Sequence, residues 1–159
     1  RTAIVLGPMI AGMLQLLVQT LLIFAVAFLL GLTIPVGAIG FFFTVLLAIG
    51  FGLGFAGYSV GVALKTRNAQ AAQAGTLLFF PLIFLSTTFV PKELIEAEWL
   101  KVAATFNPTT YIFEGMRAVL TQPEIDWGAL SAGLAVAGTM SVLMIVFAAT
   151  NARGALKQK

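Results

Sequence analysis

The sequence contains no cysteine and no histidine among its 159 residues. A disulfide framework is therefore excluded, as are the thiolate and imidazole ligands that zinc, copper and haem sites usually require. Catalytic sets of the Ser–His–Asp type are excluded for want of histidine. We expect no catalytic residues, no metal site and no bound cofactor in this chain.

Charge is the second scarcity. Only 9% of the residues are charged, against about 25% in an average soluble protein, while 60% are hydrophobic and the mean hydropathy is +1.03. Not one charged residue occurs from Thr2 to Leu64. This composition predicts a protein that lies in the lipid bilayer, with no nucleic-acid partner.

The uncharged runs and the turn signals between them predict how often the chain crosses the membrane. A helix needs about 20 apolar residues to cross a ~30 Å hydrocarbon core, so the first run is long enough for two crossings. The segment GLTIPVG carries Pro35 between two glycines, which favours a turn there. We predict an all-α, polytopic membrane helical bundle with four transmembrane helices, at about 8–30, 38–64, 70–90 and 128–150. The whole chain, 1–159, is then a single membrane domain.

The basic residues indicate the orientation of these helices. With a cytoplasmic N-terminus, four crossings place six basic residues inside, namely Arg1, Lys65, Arg67, Arg153, Lys157 and Lys159. All six acidic residues then lie outside, together with Lys92, Lys101 and Arg117. Because cytoplasmic loops carry the excess of Lys and Arg, this arrangement obeys the positive-inside rule. We expect a multi-pass protein of the cell (inner or plasma) membrane with both ends of this segment cytoplasmic.

The stretch FNPTTYIFEGMRAVL, ending at Leu120, does not suit a membrane crossing. A crossing here would place the basic C-terminal tail outside. It would also bring Glu114 and Arg117 toward the bilayer centre, where Arg costs roughly 2.5–3.5 kcal/mol. A re-entrant or interfacial hairpin on the outer side avoids both penalties.

Local signals divide this hairpin into two short helices. Asn107 is a favourable N-cap and Pro108 a favourable first helical residue. Glu114 and Arg117 are three residues apart, close enough to pair on one helical face. We predict hairpin helices at about 92–105 and 108–120.

Small residues in the second predicted span follow a helical stripe, consisting of Gly50, Gly54, Gly57 and Gly61. Such a stripe lets two helix backbones approach closely. Close packing within one bundle explains it, and a closely packed moving interface between helices is the alternative.

Polar residues inside the predicted spans are candidates for a substrate path. Gln15 and Gln19 lie one turn apart on the first span, and amides in hydrocarbon require a polar partner or water. Ser86, Thr87 and Thr88 lie near the outer end of the third span. An inter-helix hydrogen bond for the amides, and bonds back to the helix for the hydroxyls, are the alternatives.

The Lys–Thr pair at residues 65–66 is not part of a phosphate-binding loop. The Lys65–Thr66 pair follows Leu64, whereas a P-loop requires glycine directly before the lysine and a preceding strand. The carboxylates between Glu93 and Asp126 lie near no nucleophile pattern. ATP chemistry must therefore come from a partner if the protein uses ATP.

The order of these features resembles the ABC type-2 transporter permeases of drug and polysaccharide exporters. The resemblance rests on the basic loop TRNAQAAQ, the segment FFPLIFLSTTFVP, a linker with Trp99, the stretch FNPTTYIFEGMRAVL, and a last span with a basic tail. It runs from about Arg1 to the end of the chain.

This resemblance implies a fold and partners that periodicity does not reveal. Such permeases have six spans, so the chain would be the C-terminal part of one, and its opening on Arg1 rather than Met agrees with a longer polypeptide. They work as homo- or heterodimers with cytoplasmic ABC ATPases, which bind ATP and Mg²⁺. The family pattern around the external re-entrant helices is matched by Pro91, Asn107, Pro108, Tyr111 and Arg117.

We therefore expect the membrane permease subunit of an exporter of an amphipathic drug, lipid or glycan, not itself an enzyme. Lys65 and Arg67 would face the ATPase, and the hairpin with Glu114 and Arg117 would gate the outer end of the path. A purely structural plug is the alternative role of the hairpin. A non-transporting membrane anchor or scaffold subunit is the alternative function of the chain.

Overall fold

The computed structural model describes residues 2–77, 79–90 and 94–156; at residues 2–6, 69, 71, 76, 79 and 153–156 only the helical backbone is described. Within these ranges the chain is helical and contains no strand. The described residues form seven helices: α1 (Thr2–Leu29), α2 (Ala38–Thr66), α3 (Ala69–Thr76), α4 (Phe79–Phe84), α5 (Glu98–Phe106), α6 (Pro108–Leu120) and α7 (Trp127–Leu156).

Three of these helices, α1, α2 and α7, are long and apolar enough to cross a membrane. The remaining segment, expected at 70–90 as one span, consists of α3 and α4 with irregular chain after Phe84. Pro81 accounts for the turn at Leu77, because it has no N–H for the carbonyl of that residue. That carbonyl accepts from the Phe80 N–H instead, at 3.2 Å.

The turn between α1 and α2 begins with a glycine-capped helix end. Gly31 has a φ of 93°, a left-handed conformation that glycine adopts without steric penalty. The N–H of Leu32 donates to the carbonyl of Ala27, and that of Gly31 to the carbonyl of Phe28. This pair of bonds is the Schellman motif, which satisfies carbonyls at the end of α1.

The first hairpin helix is shorter than the expected range of 92–105. It begins at Glu98, after irregular chain at 95–97. Pro91, Lys92 and Glu93 lie outside the described residues. The second hairpin helix, expected at 108–120, extends from Pro108 to Leu120.

The chain divides into two compact units, and the first comprises Arg1–Thr33, Ala48–Gly75 and Gly138–Lys159. In this unit α1 runs antiparallel to α2, since an added Cβ at Gly12 would meet Ala56, and one at Gly52 would meet Leu16. Met9 and Ala148 form a buried cluster against Val60, Leu64, Ile145 and Ala152.

The glycine stripe of α2 packs against α7 in the same unit. Added Cβ atoms at Gly54, Gly57 and Gly61 would meet Met140, Met144 and Phe147 in turn. Gly50 offers its carbonyl to the Ser141 hydroxyl, which donates at 2.7 Å. Because residue numbers rise together along this contact, α2 and α7 run parallel.

The second unit comprises Ile34–Leu47 and Thr76–Ala137. Its core is built from fully buried side chains of α2, α6 and α7: Leu47, Ile112, Val119 and Leu130. The helix α7 begins with Asp126 as its cap, whose Oδ1 accepts from the N–H groups of Gly128 and Ala129. This unit contains the hairpin and the residues around it.

Candidate functional site

The candidate site is the polar seam between α6 and the end of α4, in the second unit. It starts at the Asn107–Pro108 pair. The Asn107 side chain caps α6 by accepting from the Thr109 N–H at 3.0 Å, and Pro108 occupies the first turn. The Tyr111 hydroxyl donates to the carbonyl of Thr105 at 2.9 Å, which ties the end of α5 to α6.

The early end of α4 releases a backbone carbonyl that α6 then satisfies. In a continuing helix the Ser86 N–H would donate to the carbonyl of Leu82. It donates instead to the carbonyl of Ile83, at 3.3 Å, which leaves the Leu82 carbonyl without a helical donor. The Asn107 amide donates to the released Leu82 carbonyl. This bond joins two segments that are far apart in sequence.

Thr109 extends this contact from the first turn of α6. Its fully buried hydroxyl lies 3.2 Å from the Leu82 carbonyl oxygen and 2.7 Å from Asn107 Oδ1. One hydroxyl proton serves these two acceptors, so the amide of Asn107 is the principal donor to Leu82.

Arg117 makes the second contact of the seam. Its Nη1 lies 2.6 Å from Glu114 Oε1, and its Nη2 donates to the Thr87 carbonyl at 2.6 Å. The two charged side chains are 24% and 27% exposed. In a helix the Thr87 carbonyl would accept from the N–H of residue 91, but residue 91 is proline and has no N–H. The guanidinium of Arg117 supplies the donor instead.

The hydroxyl residues at the end of α4 bond to one another and to their own segment. The Ser86 hydroxyl donates to Ile83 at 2.6 Å and accepts from the hydroxyl and N–H of Thr88. Thr87 is fully buried, and its Oγ1, like that of Thr110, has no hydrogen-bond partner in the described part of the chain.

The contacts of α6 fix its direction against the helices around it. A Cβ at Gly40 in α2 would collide with the carbonyl of Val119, and one at Gly133 in α7 would lie 2.7 Å from the carbonyl of Tyr111. A Cβ at Gly115 would lie 3.3 Å from the side chain of Leu47 in α2 and from the carbonyl of Ala129 in α7. Later residues of α6 therefore meet earlier residues of α2 and α7, so α6 is antiparallel to both. It is parallel to the 82–87 segment, since Leu82 meets Asn107 and Thr87 meets Arg117.

The remaining predicted site residues lie in the first unit. Gln15 and Gln19 are exposed on α1. Lys65 and Arg67 are exposed at the end of α2, where Arg67 has a φ of 54°. Asn68 then caps α3 by accepting from the Gln70 N–H at 2.9 Å.

Three contributors to the site were missed from the sequence, namely Thr109, Gly40 and Gly133. A threonine two residues after an N-cap has no distinctive signal, because its partner at Leu82 is remote in sequence. The two glycines lie outside the stripe of Gly50–Gly61 and belong to no repeating pattern. Within the described residues, no group of three or more carboxylates comes together to hold a metal ion.

A family model described as ABC-2 type transporter matches residues 1–121, which is more than half of the chain. No curated protein and no solved structure matches the chain significantly. The matched range covers α1 to α6 and therefore both sides of the polar seam.

Proposed function

Because the chain belongs to the ABC-2 type transporter family, we propose that it is the membrane-spanning part of an ATP-driven exporter. The family and the three long apolar helices make it an integral, multi-pass membrane permease. The cargo we propose is an amphipathic drug, lipid or glycan that leaves the cytoplasm. The observation that carries the proposal is the short helix α6, which lies antiparallel to α2 and α7 and bonds to the end of α4.

The helix directions support a topology of four crossings. Parallel membrane helices begin on the same side, so an odd number of crossings must separate α2 from α7. The segment of α3 and α4 supplies this crossing. The hairpin of α5 and α6 then enters and leaves on the outer side, with both ends of the segment cytoplasmic. Irregular chain after α4 is tolerated at membrane depth because α6 satisfies its carbonyls.

The depth of α6 supports its role as an outer gate. From Trp127 to Gly133, which contacts Tyr111, α7 advances about 9 Å, and Asn107 lies about 6 Å deeper along α6. The hairpin tip therefore lies roughly 15 Å below the outer helix ends, near the middle of a ~30 Å hydrocarbon core. A helix at this depth can seal the outer end of a path and open it by moving outward.

Energy would come from a partner protein. Permeases of this family generally pair with an ABC ATPase and dimerise. We propose that a cytoplasmic ATPase, which binds ATP and Mg²⁺, docks near Lys65 and Arg67, and that a second permease copy completes the path. Movement of the ATPases would reach the gate through rigid helices.

The first test asks whether an ATPase accompanies the protein. Purified from its own membranes, it should carry vanadate-sensitive ATP hydrolysis that purified cargo candidates stimulate. A well-folded preparation without ATPase activity in detergent or nanodiscs would contradict the exporter function and favour a scaffold.

A second test addresses the path. The sequence has no cysteine, so Gln15→Cys and Gln19→Cys can be labelled without background. A water-soluble thiol reagent should reach at least one of these positions in an exporter, whereas a scaffold should protect both in the lipid. Leu14→Cys, which is also exposed on α1, serves as the apolar control position.

A further inference from the structure

Besides the Thr109 hydroxyl, which lies 3.2 Å away, the Leu82 carbonyl has two possible principal donors. One is the Ser86 N–H, which would take it if α4 continued as a regular helix. The other is the amide of Asn107, which holds it here while the Ser86 N–H turns to Ile83 at 3.3 Å. Transfer of the Ser86 N–H from Ile83 to Leu82 would be the first of the helical bonds that lengthen α4.

The Thr87 hydroxyl is a second and independent observation. This side chain is 0% exposed, and its Oγ1 has no partner among the described residues. Buried hydroxyls without a partner are unfavourable. In a helix, a threonine hydroxyl bonds back to the carbonyl four residues earlier, which for Thr87 is that of Ile83. A longer α4 would therefore satisfy the group that the observed arrangement leaves unpaired.

The Thr87 carbonyl behaves differently from that of Leu82. Residue 91 is proline, so no helical N–H can replace the guanidinium of Arg117. The bond from Arg117 to Thr87 therefore serves as a fixed anchor, while the bond from Asn107 to Leu82 can be exchanged.

We propose that the end of the third membrane segment is a two-state helix switch that α6 controls. With α6 seated, Asn107 holds the Leu82 carbonyl and α4 ends at Phe84. With the N-terminus of α6 withdrawn, the Ser86 N–H takes this carbonyl and α4 gains about one turn. This inference rests on the proposed role of the hairpin as a gate, and it identifies Asn107 and Thr109 as the positioning residues of the switch.

A helix-specific probe reports the added turn. Two cysteines four residues apart come close enough to share one Cd²⁺ in a helix but not in extended chain, and the bridged thiolates are protected from maleimide. The pair Leu85→Cys with Phe89→Cys lies directly after the observed end of α4, whereas the pair Phe80→Cys with Phe84→Cys lies within α4 and serves as the control. Both pairs are placed in the complete protein in lipid nanodiscs.

Two variants should shift the switch. Asn107→Asp keeps the oxygen that caps α6 but has no amide donor for Leu82. Thr109→Val keeps the side-chain shape without the hydroxyl. In Asn107→Asp we expect the Cd²⁺ concentration that half-protects the 85/89 pair to fall about tenfold. In Thr109→Val we expect it to fall by a smaller factor. Thr121→Val removes an exposed hydroxyl that donates only to the backbone carbonyl of Arg117 one turn earlier. This control variant should leave the protection of the 85/89 pair unchanged.

The outcomes separate the switch from the proposed function. Unchanged protection of the 85/89 pair in both variants, with the 80/84 pair protected throughout, overturns the switch even if the protein exports its cargo. If Asn107→Asp does not fold, Thr109→Val alone decides. A shift in protection supports the switch. Absence of ATP-driven export by the unsubstituted protein would count separately against the exporter function.

Discussion

At the scale of single residues, the site is organised by carbonyls that lack a helical donor. Leu82 and Thr87 both lie where α4 ends, and each receives a side-chain donor from α6. Buried carbonyls without donors are unfavourable in water-poor surroundings. The polar residues of α6 therefore stabilise an irregular segment first, and any gating depends on that contact.

Arg117 provides a prediction at this scale. The double exchange Glu114→Arg with Arg117→Glu keeps opposite charges three residues apart, but a carboxylate at residue 117 cannot donate to the Thr87 carbonyl. We expect the exchange to remain destabilised by about 1–3 kcal/mol, measured by thermal unfolding in detergent. Glu114→Gln, which leaves Arg117 bonded to Thr87, should have a smaller effect. Full recovery of stability and export in the double exchange would contradict this account.

At the scale of helices, local signals in the sequence predicted several boundaries. Gly31 and Pro35 predict the turn after α1, and Asn107 with Pro108 predicts the start of α6, because cap and turn preferences depend on a few adjacent residues. The turn at Leu77 was not predicted, although Pro81 lacks the N–H that the Leu77 carbonyl would accept in a continuous helix. The partner of Leu82 was not predictable, since it depends on tertiary packing.

The contact between α2 and α7 gives a prediction with a control in the same helix. A Cβ at Gly57 would lie 2.8 Å from the backbone carbon of Met144, so the two helices must separate. A Cβ at Gly52 would meet only the flexible end of Leu16. We expect Gly57→Ala to lower the free energy of unfolding by about 1–3 kcal/mol, and Gly52→Ala to change it by less than about 1 kcal/mol. Equal effects on thermal unfolding would contradict close packing at Gly57.

At the scale of the whole molecule, family membership and helix directions together support the proposed transporter and its topology. The family match supplies the class of transporter. The parallel course of α2 and α7 supports a single crossing between them. Charge distribution in the sequence predicts which side of the membrane is cytoplasmic.

Orientation can be tested with single cysteines in exposed loops. Glu124→Cys lies between α6 and α7, and Asn68→Cys lies between α2 and α3; both residues are exposed. In intact cells, a membrane-impermeant maleimide should label Glu124→Cys at once and Asn68→Cys only after the membrane is permeabilised. Labelling of both positions from the same side would contradict the proposed crossing by α3 and α4.

The central claim is that the hairpin opens the outer end of an ATP-driven path. Phe106 lies at the hairpin tip, is 84% exposed and can be replaced by cysteine without loss of a side-chain hydrogen bond. The most direct measurement is the rate at which an external, impermeant maleimide labels Phe106→Cys, with Glu124→Cys as the reference. The account predicts faster labelling of Phe106→Cys during ATP turnover, return to the resting rate with vanadate, and a constant rate at Glu124→Cys. A rate at Phe106→Cys that does not depend on ATP would contradict the gate and leave the hairpin as a structural plug.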